Sequence, residues 1–360
     1  IPIHGESIKP ITAEPARKAI GQENIYERVN ITHLLTDAND PQRIAGAIGF
    51  GVRENKFYVF KAKAVLITCG GASNVFRPRS INEGMGRTWY SVFATGSAYG
   101  LMIPIGTEMT QMEHRFVPTR FKDGYGPVGM WFQYFGAKIT NSKGEDYTVT
   151  REAELHKYKP YGLVVPTPTP LRNHQMFLDI KDGLGPMYMG TDKAMQKIAG
   201  GDPKKMRKVK EEAWEDFLDM TISQALTWAS QDIRPELTPS EVVLAEPYIM
   251  GSHSGESGAW VSGPEDLAPS DYFWGYNKMT TIKGLFAAGD GVGAAPHKFS
   301  SGSFTEGRLA AKAAVNFLND NPEDSTLNDG QVTSLRDKIW APLERFEKYK
   351  GASTAEEVNP

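Results

Sequence analysis

The 360-residue chain holds one cysteine, Cys69. A single thiol excludes an intrachain disulfide, and it excludes any iron–sulfur or multi-cysteine zinc site built by this chain alone. It suits a reducing compartment, and a cytoplasmic location is expected. Charge of one sign is also lacking: 40 Lys and Arg against 43 Asp and Glu leave a net charge of −3, so neither nucleic acid nor an anionic membrane surface is indicated as a partner. No stretch approaches the roughly 18 apolar residues of a membrane-spanning helix. Missing too is a G-x-G-x-x-G fingerprint at a strand–helix junction, and with it the acidic residue that would hold an adenosine ribose. The chain opens IPIHGESIKP, with neither a Met nor a signal-peptide pattern, and closes STAEEVNP; from these ends an internal fragment of a longer protein is expected.

What is present is organised around Gly284 to Val315, GLFAAGDGVGAAPHKFSSGSFTEGRLAAKAAV. Leu285 to Ala288 form a short apolar run that predicts a buried strand. Gly289-Asp290-Gly291 breaks it, Ser300-Ser301-Gly302-Ser303 ends a long small-residue loop, and Thr305 to Val315 has helical composition. Such a loop presents backbone N–H groups of a helix N-terminus to an electron-rich ligand. It serves equally as an ordinary strand–helix connection.

Upstream, Ala13 to Ile20 predicts a short helix closed by Gly21. Ile25 to Leu35, Ile44 to Val52 and Lys56 to Phe60 predict an antiparallel meander, with turn chemistry at Asp37 to Pro41 and at Glu54-Asn55. Gly49-Phe50-Gly51 leads into a turn, so it is not a dinucleotide loop. Ala64 to Thr68 predicts a buried strand ended by Cys69-Gly70-Gly71, where a backbone or a ligand can approach closely, or where the chain simply turns with Cys69 as core filler. A helix is expected over Thr95 to Gly106 and a strand segment over Thr107 to Phe116. From Phe116 to Pro247 proline-rich connectors and lysine-rich helices replace the strand–glycine pattern. There Met206, Val209, Ala213, Phe217, Met220 and Leu226 recur near helical spacing and predict a packing stripe. After a polar linker over Leu318 to Asp329, a helix is expected around Val332 to Tyr349.

Three pieces in this order, the meander before AVLITCGG, a helix over TGSAYGLMIPIG, and GLFAAGDG with its serine–glycine loop, resemble the flavoprotein subunits of the succinate dehydrogenase and fumarate reductase superfamily. Longer segments narrow the resemblance: RTWYSVFATGSAYGLMIPIG, EMTQMEHRFVPTRFKDGYGPVGMWF, PYIMGSHSGESGAWVSGPEDLAP and FAAGDGVGAAPHKFSSGSFTEGR are similar to the alpha subunits of dissimilatory adenylylsulfate (APS) reductase, over essentially the whole chain. A fumarate reductase is expected to carry a histidine–methionine–glycine–glycine segment and an asparagine–arginine loop. Met250-Gly251-Ser252-His253 and Pro296-His297-Lys298 stand here instead.

The resemblance implies an α/β fold with an α+β insertion. An FAD-binding Rossmann-like domain, incomplete at its N-terminus, would occupy 1–116 and 248–317. A capping domain would fill 117–247, and a linker with the start of a helical region 318–360. It implies reversible two-electron reduction of adenylylsulfate to sulfite and AMP through a flavin N5–sulfite adduct, with FAD as cofactor. Because this chain has no iron–sulfur ligands, it also implies an iron–sulfur beta subunit as partner in a heterodimer. Lacking the dinucleotide fingerprint, the chain alone is expected to bind FAD poorly. The other readings are a fumarate- or succinate-type oxidoreductase and a non-catalytic nucleotide-binding remnant.

Site roles come from the same resemblance. Arg120 and Arg172 are the expected anion ligands, since a guanidinium matches sulfate or phosphate oxygens with a planar fork. By residue type alone an exposed ion pair is the commoner fate of an arginine. His253 matches the family's active-site histidine, as a cation or as a neutral donor; otherwise it is a loop histidine bonded to backbone. Phe132 is expected against the purine, with Gln133 standing where the pattern expects a bulky apolar residue. Trp89 is expected near the flavin on the path of electrons from the partner. Asp290 is expected to bond a ribityl hydroxyl, with Gly289, Ser300, Ser301, Gly302 and Ser303 lining that region. Gly70 and Gly71 are expected to pass the diphosphate–ribose end. His297 either faces the isoalloxazine edge or positions its loop.

Overall fold

A computed structural model of the chain describes residues 5–72, 93–113, 115–116, 119–122, 131, 135–165, 167–244, 249–250, 257–293 and 299–351. The chain divides into two compact units, one within residues 1–22 and 115–248, the other within 23–75, 93–114 and 249–360. The architecture is mixed α/β.

In the second unit the meander is a three-stranded antiparallel sheet, Val29–Thr36, Ile44–Gly51 and Phe57–Lys61 in that order. The central strand is apolar and buried along almost its whole length. Gly51 does enter a turn, its N–H donating to Lys56 O at 3.0 Å. The Asp37 turn is fixed by its own carboxylate, which accepts the N–H groups of Asn39 and Asp40 and, from far along the chain, that of Thr326.

The strand Val65–Ile67 pairs in parallel with Leu285–Ala287, Val65 opposite Leu285 and Ile67 opposite Ala287. Parallel neighbours need a long crossover, and most of the chain lies between these two. All three residues of the later strand are buried, as its apolar run predicts. The earlier one is buried only at Ile67, and both Leu66 and Cys69 are exposed. The expected fully buried strand is thus covered on one face, and Cys69 is not core filler.

Two helices complete this layer. Ser97–Met102 is preceded by Gly96 at φ 82 and continues through a 3-10 turn to Gly106 at φ 86. Phe299–Asp320 packs Ala313 and Phe317 on Phe286 and Met279. It begins six residues before the expected Thr305 start, so Ser300 to Ser303 form its first turn rather than the end of a loop. Serine and glycine are weak helix formers, so local preference gives no sign of a helix start there. The expected strand over Thr107 to Phe116 is only Met109–Thr110 and Arg115–Phe116, and Met109–Thr110 pairs with Gly258–Ala259. The last helix, Asp329–Lys348, starts where Asn328 accepts the Gln331 N–H at 3.0 Å.

The first unit holds the helix Gly5–Ile20, longer at its start than expected, and an antiparallel sheet in the order Thr119–Phe121, Ser240–Leu244, Met187–Met189, Ile139–Thr140. Its core joins Phe121, Trp131, Tyr147, Met176, Met189, Val209, Ala213 and Trp228. The helix Pro203–Ser230 is capped by Asp202, which accepts the Lys204 N–H at 2.8 Å, with Pro203 at its first position. Val209 and Ala213 face the core as the stripe predicts, but Leu226 is 60% exposed. Ala225 and Trp228 take the buried positions there, because the 3.6-residue period carried from Ala213 passes beside Leu226. The side chains of Phe217 and Met220 lie outside the described residues.

Candidate functional site

The two parallel strands end side by side, and the turns beyond their carboxyl ends enclose a crevice. Ala288 N–H still donates to Ile67 O at 3.1 Å. Beyond that bond Cys69-Gly70-Gly71 and Gly289-Asp290-Gly291 leave the sheet as two neighbouring turns, glycine at four of their six positions. In open α/β sheets ligands bind at this place, outside the carboxyl ends of strands. Gly70 has φ 74, with nothing within 4 Å of the position a Cβ would take. A Cβ on Gly291 would stand 3.3 Å from Ala98 Cβ and 3.5 Å from Gly70 O, so the two turns approach closely there and a side chain would crowd that approach. A flat or extended ligand running along backbone needs such side-chain-free turns, with open space as at Gly70. The helix Phe299–Asp320 closes one side: a Cβ on Gly289, at φ 72, would lie 3.5 Å from Ser303 Oγ.

The second turn is braced from behind. Gly258 lies so close to it that a Cβ there would come within 2.5 Å of Gly291 O, and Gly293 N–H donates to Ala259 O at 3.0 Å. Tyr99, buried on the Ser97–Met102 helix, donates its hydroxyl to Ser257 O at 2.9 Å. In front, Gly289 N–H donates to Glu306 Oε2 at 2.9 Å, and Glu306 Oε1 lies 3.0 Å from Lys278 Nζ. Sequence reasoning missed Glu306, Lys278, Tyr99 and Gly258. The one signal for Glu306 was a carboxylate inside a run of small residues, and nothing local marked its lysine partner.

The expected cofactor residues Gly70, Gly71, Gly289 and Asp290 are therefore brought to one crevice, beside the helix turn that carries Ser300, Ser301, Gly302 and Ser303. Gly71 and Gly302 are buried, whereas Ser300 and Ser303 are exposed. The side chain of Ser301 lies outside the described residues, as do Trp89, Phe132, Gln133, His253 and His297 entirely.

Arg120 and Arg172 belong to the other unit. Arg120 sits half-buried on the edge strand Thr119–Phe121, opposite Val243. Its neighbour Thr119 donates its hydroxyl to Asn173 Oδ1 at 2.8 Å, which ties this strand to the helix Thr169–Lys181 beside Arg172. Strand alternation puts Arg120 on the sheet face opposite Thr119 and the buried Phe121. Arg172 lies near Tyr147, whose pKa burial pushes up to about 12 against the opposing pull of the Arg172 charge. Among the described residues no cluster of His, Cys, Asp and Glu is arranged to hold a metal ion, and no helix is long and apolar enough to cross a membrane.

No protein-family model matches the chain. It is 49% identical to adenylylsulfate reductase subunit alpha of Megalodesulfovibrio gigas, over 370 aligned positions that take in 100% of this chain and 56% of that protein. The solved structure of adenylylsulfate reductase from Archaeoglobus fulgidus is 61% identical and superposes with a TM-score of 0.92, across 100% of this chain and 57% of that one. A structure of adenosine-5-phosphosulfate reductase in complex with sulfite, as a covalent adduct, gives the same identity, coverage and TM-score. Quinol-fumarate reductase of E. coli is 16% identical with a TM-score of 0.56 over 91% of this chain and 50% of that one, a likeness of fold alone. The chain thus spans about half the length of the curated relative it matches. A likeness that runs through the whole of this chain, in sequence as in backbone, places it in the family of adenylylsulfate reductase alpha subunits, and the chain belongs to that family.

Proposed function

We propose that the protein to which this chain belongs carries out the reversible two-electron reduction of adenylylsulfate to sulfite and AMP, and that the crevice beyond the two parallel strands takes part of its FAD, with the ribityl–flavin side at the Gly289–Gly291 turn. The observation that carries the cofactor assignment is the pair of side-chain-free turns beyond two adjoining parallel strands, with open space at Gly70 and little room for a side chain at Gly291. The reaction rests on a likeness to adenylylsulfate reductases, one of them solved with sulfite, that runs through the whole of this chain and about half of theirs. When bound, FAD supplies the two-electron redox chemistry.

The chain's own residues hold and orient. Backbone N–H groups at the start of the Phe299–Asp320 helix, around Ser300 to Ser303, stabilise negative charge beside them. Asp290 accepts from a ribityl hydroxyl, while Gly70 and Gly71 let the diphosphate–ribose end pass close to the backbone. Arg120 and Arg172 grip sulfate or phosphate oxygens, and His253 holds sulfite oxygens or the AMP phosphate. Phe132 lies against the purine with Gln133 next to it. Trp89 carries electrons from the partner, and His297 positions the flavin loop. In this reading residues 1–116 and 248–317 form the Rossmann-like FAD domain, 117–247 the capping domain, and 318–360 a linker with the start of a helical region. The electrons arrive from an iron–sulfur beta subunit in a cytoplasmic heterodimer.

The test uses the full-length subunit with its partner and monitors ferricyanide reduction. Turnover is expected only when sulfite and AMP are both present. Succinate oxidation at a comparable rate, or sulfite oxidation indifferent to AMP, would overturn the reading in favour of a dicarboxylate enzyme or an unspecific one.

A further inference from the structure

The brace in front of the Gly289–Gly291 turn is a buried ion pair. Glu306 is 2% exposed and Lys278 8%. One carboxylate oxygen faces the ammonium at 3.0 Å and the other accepts the Gly289 N–H at 2.9 Å. Lys278 is itself clamped: at φ 66 its N–H donates to Ser262 O at 2.9 Å, and its carbonyl accepts the Ala287 N–H at 3.2 Å. Three segments meet here, namely the chain leading to Lys278, the end of the Leu285–Ala287 strand, and the Phe299–Asp320 helix. Stability alone does not call for this arrangement, because matched apolar side chains commonly hold a buried contact as well as an ion pair does. An apolar pair has no acceptor for a peptide N–H.

We propose that Glu306 is a positioning residue of the cofactor crevice, one that sets the direction of the Gly289 peptide and hence of the Asp290 and Gly291 groups facing the ligand, with Lys278 holding the carboxylate in place. The proposal rests on the flavin reading of the crevice. Gly289 is free to take several backbone directions, and the bond to Glu306 selects one. The bond also occupies the Gly289 N–H, so that donor is withheld from the ligand. Because the pair is neutral overall, the accepting oxygen is what matters for the turn. A neutral pair that keeps this oxygen serves as well.

The experiment compares two charge-neutral double variants of the full-length subunit, K278M/E306Q and K278M/E306M, stripped of flavin and titrated with FAD. The first keeps an acceptor for Gly289 N–H and the second does not. K278M/E306Q is expected to bind FAD within a few-fold of wild type with the wild-type visible spectrum. K278M/E306M is expected to melt, as apoprotein, close to K278M/E306Q yet to bind FAD about tenfold or more weakly, with displaced absorption bands. Equal affinity and identical spectra in the two doubles would overturn the proposal. If K278M/E306M does not fold, K278M/E306A supplies the same contrast; failure of both, with K278M/E306Q folded, would assign the acceptor to folding alone and likewise overturn it. If wild type takes up no FAD, the flavin reading of the crevice falls and this proposal with it. If wild type binds and the doubles do not differ, only the positioning claim falls.

Discussion

Arg120 shows how little a single side chain reveals before its surroundings are known. Its residue type suggests a surface ion pair, and only the surrounding VPTRF segment, through its likeness to a family, assigns it an anion. The structure puts it half-buried on a three-residue edge strand. If it grips the substrate anion, Arg120→Ala in the full-length enzyme lowers kcat/KM for adenylylsulfate by about a hundredfold, the scale of losing a charged donor from a preorganised site. Arg120→Lys recovers only part, because an ammonium lacks the planar fork. Steady-state kinetics beside a melting curve checks both; unchanged kcat/KM in Arg120→Ala would return the residue to an ordinary ion pair. The glycines were more legible. Gly70 and Gly289 stand at φ 74 and φ 72, and a glycine just past an apolar run is the usual sign of such a turn. Glu306 and Lys278 were not legible, since their pairing joins residues that only the fold brings together.

Among the elements, the meander and the Leu285–Ala287 strand could be read from alternating or continuous apolar residues and the turn chemistry between them. The start of the Phe299–Asp320 helix could not. Ser300 to Ser303 have loop composition, yet they form the helix's first turn, with Ser303 close to the Gly289 turn. The tie between the meander and the chain before the last helix was equally invisible. Asp37 ends the first strand, and its carboxylate collects three N–H groups, from Asn39, Asp40 and Thr326. These bonds, led by the one from Thr326, hold its carboxyl below the usual carboxylate range against the opposing pull of burial. Asp37→Ala is expected to cost about 2 kcal/mol at neutral pH, the scale of hydrogen bonds lost to a charged acceptor. A group with a depressed folded pKa contributes its stability fully above the unfolded value, near about 3.9, and loses it as pH falls through the folded value. The gap between wild type and Asp37→Ala in denaturant unfolding should therefore stay constant from pH 7 to about 5 and narrow below about 4. A gap independent of pH would mean that the ionised carboxylate contributes nothing at this turn.

At the scale of the molecule, the crevice depends on a parallel pairing between Val65–Ile67 and Leu285–Ala287, strands far apart in the chain. Local pattern supplied each strand but not their pairing, which encloses the crevice; the family resemblance supplied the purpose of the glycines on either side. The central claim is that this crevice receives a cofactor, so the most direct measurement is the FAD dissociation constant of the full-length apo-subunit, wild type against Gly291→Ala. The added methyl would meet Ala98 Cβ at 3.3 Å and Gly70 O at 3.5 Å, contacts that ask neighbours to yield only slightly. Binding is expected to weaken about tenfold or more, with the apoprotein melting nearly unchanged. Affinity equal to wild type would contradict the account and place the flavin elsewhere.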